Sequence, residues 1–116
     1  MADERERSAR VAALNDALRE AQCLPQGRCV FTSGVEALGL DFMMATASAV
    51  RAFNAFTGDN DPHCERDFGS FELGGLRLFW KIDCYEKGSD YQAGAETPEN
   101  PATTDRVLTI MLADEY

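Results

Sequence analysis

The chain is short of basic charge. Its 116 residues carry 11 lysines and arginines against 20 aspartates and glutamates, a net charge of −9 at pH 7. Nucleic-acid binding draws on a Lys/Arg surplus to displace phosphate counterions, so a free-standing nucleic-acid binder is not expected. Histidine occurs once, at His63, so imidazole chemistry has a single residue to draw on. Long apolar runs are missing: no stretch approaches the roughly 18–20 residues that span a bilayer. The opening MADERERSAR is of mixed charge and leads into no signal-type apolar run of about 7–15 residues. A soluble, cytoplasmic protein without membrane contact is expected. Cys23, Cys29, Cys64 and Cys84 form no C-x-x-C pair, which removes a zinc ribbon and a thioredoxin-like motif. In a reducing compartment they are expected to be free thiols. Glycine-rich phosphate loops and nucleophile elbows are also absent.

What is present is an ordinary globular composition, 45% hydrophobic and 27% charged, with room for one domain over residues 1–116. Residues 3–22 read as an amphipathic helix. Val11, Leu14, Leu18 and Ala21 recur at spacings of three and four, and Arg7, Arg10, Asp16, Arg19 and Glu20 take the polar face. Pro25 and Gly27 stop it. Residues 28–33 read as a short strand. A second helix is predicted over 41–56, with Asp41 as N-cap and a face of Met and Ala suited to burial against a sheet or a second copy. Residues 57–66 form a loop. A hairpin follows, with strands 67–73 and 76–85 joined by Gly74-Gly75. Its second strand alternates: Leu76, Leu78, Trp80, Ile82 and Cys84 share one face; Arg77, Phe79, Lys81, Asp83 and Tyr85 share the other. Residues 86–100 are a polar loop, Asn100-Pro101 starts a helical turn, and 106–113 reads as a strand pairing with the hairpin. The predicted fold is α+β: two helices packed on one face of a small antiparallel sheet containing a central β-hairpin.

The charge is uneven. Residues 1–58 hold 7 acidic and 6 basic residues; residues 59–116 hold 13 and 5. On a domain about 30 Å across, eight excess carboxylates in a line give roughly one per 3.5 Å, near the spacing of single-stranded nucleic acid. The dense loop Asp59, Asp61, His63, Cys64, Glu65, Asp67 contains cation-ligand types. It departs from a calcium loop, with Cys64 in the glycine position and Ser70 where a bidentate Glu belongs. His63 has Asp61 and Cys64 close in sequence, but chain neighbours rarely point at one another, as a nucleophile and its base must. The Asp67-Phe68-Gly69 string lacks every other kinase element. Phe68, Phe71, Phe79, Trp80 and Tyr85 are mostly core, with Phe79 and Tyr85 beside Arg77 and Lys81 suited to anchoring a protein interface.

The strings RAFNAFTGDNDPHCERDFGSFELGGLRLFWKIDCYE and TTDRVLTIMLADEY resemble a small, uncharacterised bacterial domain-of-unknown-function family. The resemblance runs over residues 8–116. It is carried by Asn60-Asp61-Pro62, Asp67-Phe68-Gly69, Phe79-Trp80-Lys81-Ile82-Asp83 and Val107 to Tyr116. The chain departs from the family at His63-Cys64 and at Cys84, where tyrosine is expected. The resemblance brings no reaction, and carriage of such genes on mobile elements implies a role against host defence.

With no complete catalytic constellation, the chain reads as a non-enzyme without cofactor. The expected function is an acidic inhibitor that blocks the basic, nucleic-acid-binding surface of a partner protein, as an anti-CRISPR or anti-restriction nucleic-acid mimic does. Asp59, Asp61, Glu65, Asp67, Asp83, Glu86, Asp90, Glu96 and Glu99 supply the field, and Phe79, Lys81 and Tyr85 the anchor. The alternative is a small metal-dependent enzyme or ligand-binding domain using Asp59, Asp61, His63 and Glu65. A homodimer through Met43, Met44 and the alanine-rich helix is a third expectation.

Overall fold

A computed structural model describes residues 3–116. Helix α1 runs Glu4–Ala21. Asp3 caps it by accepting from the Glu6 N–H at 2.8 Å, and Glu4 and Glu6 place negative charge at its positive dipole end. Strand β1 (Arg28–Phe31) leads into a single turn, α2 (Ser33–Glu36), and then helix α3 (Leu40–Arg51).

Two expectations about α3 are corrected. Its N-cap is Gly39, at φ 96, and not Asp41; the left-handed backbone there suits glycine, and Asp41 falls in the first turn. It ends at Arg51 rather than at 56. The Arg19 guanidinium donates from Nη1 to the carbonyls of Val50 and Arg51, each at 3.0 Å, and so closes the helix end. Phe53 and Phe56 then meet Trp80 edge-on, with centroids at 5.5 and 6.1 Å. Packing overrides the helix propensity of the alanines. For the same reason Arg19, read as surface, is buried.

Strands β2 (Phe68–Leu73) and β3 (Leu76–Glu86) form the hairpin. Gly74 and Gly75 both have positive φ, 59 and 78, as a two-residue turn between twisted strands requires. After the 86–100 loop, a 3-10 turn (Pro101–Thr103) starts at Asn100, whose side chain accepts from the Ala102 N–H. It delivers β4 (Thr104–Leu112), the strand predicted at 106–113.

The sheet order is β1-β4-β3-β2. β3 pairs antiparallel with β2 and with β4, but β1 pairs parallel with β4. The sheet is therefore mixed, which corrects the expectation of an antiparallel one; the β2–β3 hairpin lies at its edge rather than its centre, and the helices number three, not two, among the described residues. Everything from α2 to β3 intervenes between β1 and β4, so no hairpin constrains their direction. The register sets Cys29 and Phe31 beside Leu108 and Ile110, aligning the apolar residues of both strands. Leu78, Trp80 and Ile82 of β3 and Leu108 and Ile110 of β4 form one buried cluster with Leu18, Val35 and Val50 from the three helices. No described helix is long and apolar enough to cross a membrane.

Candidate protein-interaction face

Alternation puts a second set of residues on the other side of the same strands. The β3 residues Phe79, Lys81, Asp83 and Tyr85 stand beside Met111, Thr109, Val107 and Asp105 of β4. Phe68, Ser70 and Glu72 of β2 continue the row. These residues are half-exposed or exposed except for Met111, which is buried. The Tyr116 ring closes on this face, 5.8 Å from Phe68 and 5.5 Å from Phe79, while Phe68 and Phe79 lie 5.2 Å apart. At the other end of β3, Tyr85 meets Tyr91 of the 86–100 loop edge-on at 5.7 Å. Between the two aromatic groups lies an open groove of about 440 Å³, lined by Lys81, Asp83, Tyr85, Thr109 and Tyr116 among others.

The charges here are mostly local pairs. Lys81 Nζ lies 3.0 Å from Asp83 Oδ2, and that hydrogen bond raises the Lys81 pKa. Arg77 bonds Glu72 at 2.7 Å, and Lys87 lies 3.8 Å from Asp105. Exposed pairs of this kind contribute little to stability.

The nominated acidic residues divide into distinct environments. Asp61 is buried, and its Oδ1 accepts from the Glu65 and Arg66 N–H groups at 3.1 and 3.0 Å. It holds the loop rather than facing outward. Glu65 and Asp67 are half-buried, and burial raises both carboxyl pKa values, each carboxylate reinforced by acidic neighbours. The Glu65 carbonyl accepts from Asn15 Nδ2 at 2.9 Å, which ties the loop to α1. Asp59, Asp90 and Glu96 are exposed and, among the described residues, enter no ion pair. Glu86 accepts from the Glu96 N–H, and Glu99 pairs with Arg7 at 3.1 Å. The longest dimension is 46 Å. Eight excess carboxylates along it come to about one per 6 Å, sparser than the roughly 3.4 Å of a single strand.

His63 and Cys64 are exposed. Among the described residues no group of three His, Cys, Asp or Glu side chains is placed to hold a metal ion. The four cysteines are free; Cys23 and Cys64 are exposed, and burial pushes Cys29 up to about 11. Met43 packs against the core cluster, whereas Leu40 and Met44 are 69% and 63% exposed. The Met pair is thus divided between core and surface.

Reading the sequence missed the roles of Phe68, Met111, Tyr91 and Tyr116 on this face. The alternation of β3, carried across to β2 and β4, is a signal for Phe68 and Met111. Tyr91 and Tyr116 lie in a loop and a terminal turn, and no periodicity places them.

A family model described as Protein of unknown function (DUF3768) matches residues 31–115. It takes in β2, β3 and β4 and leaves α1 outside, a shorter span than the 8–116 expected. No curated protein matches the chain. No solved structure matches it.

Proposed function

We propose that this chain, which belongs to the DUF3768 family of proteins of unknown function, is an acidic protein-binding domain that occupies the basic, nucleic-acid-binding surface of a partner. Binding of this kind inhibits the partner, as an anti-CRISPR or anti-restriction mimic does. The observation that carries the reading is an aromatic sheet face on a strongly acidic molecule. Phe68, Phe79 and Tyr116 offer a cluster of rings, and aromatics are where interface energy concentrates. The net charge of −9 selects a basic occupant for that face and speeds its approach. The spacing of the carboxylates favours an interface with a ring centre and acidic surroundings over a rod-like copy of a phosphate backbone. Asp59, Asp90 and Glu96 are the free outer charges; Lys81, Asp83 and Tyr85 fix orientation beside the rings.

The test begins with capture from nuclease-treated lysate of the cells that encode the chain, followed by purification of the captured protein. Its affinity is then measured at low and high salt, with duplex DNA as competitor. Binding is expected to weaken steeply with salt, to be displaced by DNA, and to fall about tenfold in Phe79→Ala. The triple change Asp59→Asn, Asp90→Asn, Glu96→Gln reduces the association rate. Binding indifferent to salt, DNA and both sets of changes overturns the proposal.

A further inference from the structure

At the margin of the sheet face, where Tyr91 and Asp105 belong to both, α1 and the starting ends of β1 and β4 flank an open-sided cavity of about 420 Å³, within the usual range for small-molecule sites. We propose that this cavity binds a small organic anion, a carboxylate or phosphate ester carrying an apolar body.

The charge of its wall runs against that of the molecule. In a chain with nearly twice as many acidic as basic residues, three cations, Arg28, Lys87 and Arg106, line this cavity against one carboxylate, Asp105. Arg106 is only 4% exposed. Its Nε donates to Asn15 Oδ1 at 3.1 Å and its Nη2 to the Pro98 carbonyl. Both acceptors are neutral, and among the described residues no carboxylate pairs with it. Glu65 acts on it only from beyond ion-pair distance; a buried cation without a contacting carboxylate is costly, and an anion brought to it offsets that cost. Arg28 likewise has no ion pair among the described residues. Its guanidinium lies 5.6 Å from the centroid of Tyr91, a packing that leaves N–H edges open to a ligand. Lys87 stands 3.8 Å from Asp105, a loose exposed pair that gives way readily. Leu14, Ala17, Leu24 and Pro25 supply an apolar wall, so the cations take the head group and the wall takes the body.

Benzoate, phenyl phosphate and uncharged benzyl alcohol are titrated separately into the full chain while backbone amide resonances are followed by NMR. At least one of the two anions is expected to shift Leu14, Ala17, Gly27 and Tyr91 saturably, with a dissociation constant of about 1 mM. Whichever anion binds identifies the head group. Benzyl alcohol leaves these amides in place. Arg28→Gln with Lys87→Gln, both at exposed positions, weakens the anion about tenfold while the remaining spectrum is preserved. The proposal is overturned by silence from both anions up to about 10 mM, by equal shifts with benzyl alcohol, or by unchanged affinity in the double variant. None of these outcomes tests partner binding at the Phe68, Phe79 and Tyr116 rings, so the two proposals stand or fall separately.

Discussion

The carboxylate of Glu115 accepts the hydroxyl of Thr32 at 2.6 Å, across 83 residues of sequence. The same carboxylate accepts the N–H of Gly34 at 3.0 Å and that of Leu112 at 2.9 Å. One side chain thereby joins the end of β4 to the entry of α2. The Thr32 hydroxyl first, then the Leu112 N–H, hold its carboxyl below the usual carboxylate range.

A carboxyl with a depressed folded pKa stabilises the protein above its unfolded value, here about 4.5, and that contribution is lost as pH falls through the folded value. Glu115→Gln is therefore expected to melt at a lower temperature than the native chain at neutral pH. The difference should shrink as both are acidified below about pH 4. Thermal melts followed by circular dichroism across pH 3–8 measure it; a difference independent of pH rejects the assignment.

Arg19 joins α1 to the end of α3. It bonds Asp16 at 3.0 Å as well as the two α3 carbonyls, and its guanidinium lies 5.6 and 5.7 Å from the rings of Phe56 and Trp80. Arg19→Ala removes one donor from the Val50 carbonyl and the donor of the Arg51 carbonyl and opens a cavity, a loss of about 3 kcal/mol. Arg19→Lys restores the charge but not the fork, and falls between. Urea unfolding followed by the fluorescence of Trp80, the chain's one tryptophan, reports both. An Arg19→Ala loss under about 1 kcal/mol contradicts the capping role.

Asp61 and Asp67 lie in one acidic segment and should respond with opposite signs. Asp61→Ala removes the acceptor of two N–H groups and should cost about 1–3 kcal/mol. Asp67 has its pKa raised, by burial first. A raised acid favours the fold below its unfolded value, about 3.8, and that support is lost as pH climbs through the folded value. Asp67→Asn is therefore expected to raise the melting temperature at pH 7 and to lose that gain in acid. Denaturation of both variants at two pH values decides; destabilisation by Asp67→Asn at pH 7 counts against it.

The β3 alternation, the Gly74-Gly75 turn, the extent of α1 and the strand at β4 were all legible in the residues. Each follows from local rules: a period of two, a glycine that accepts positive φ, a capped 3.6-residue repeat. The uneven charge was legible too, since counting needs no coordinates. The 59–67 segment was less so, because its four carboxylates read alike while Asp61 turns inward and Asp59 remains exposed.

The sequence by itself determined the α+β class, the β2–β3 hairpin and the sign of the net charge. Only the tertiary structure decided that β1 runs parallel to β4, that α3 stops at Arg51, that Tyr116 covers Phe68 and Phe79, and that Arg106 is buried without a carboxylate partner. Propensity and periodicity act over a few residues, whereas each of these features depends on contacts between segments tens of residues apart. Such contacts form where burial and hydrogen bonding outweigh the entropy of closing the intervening loop.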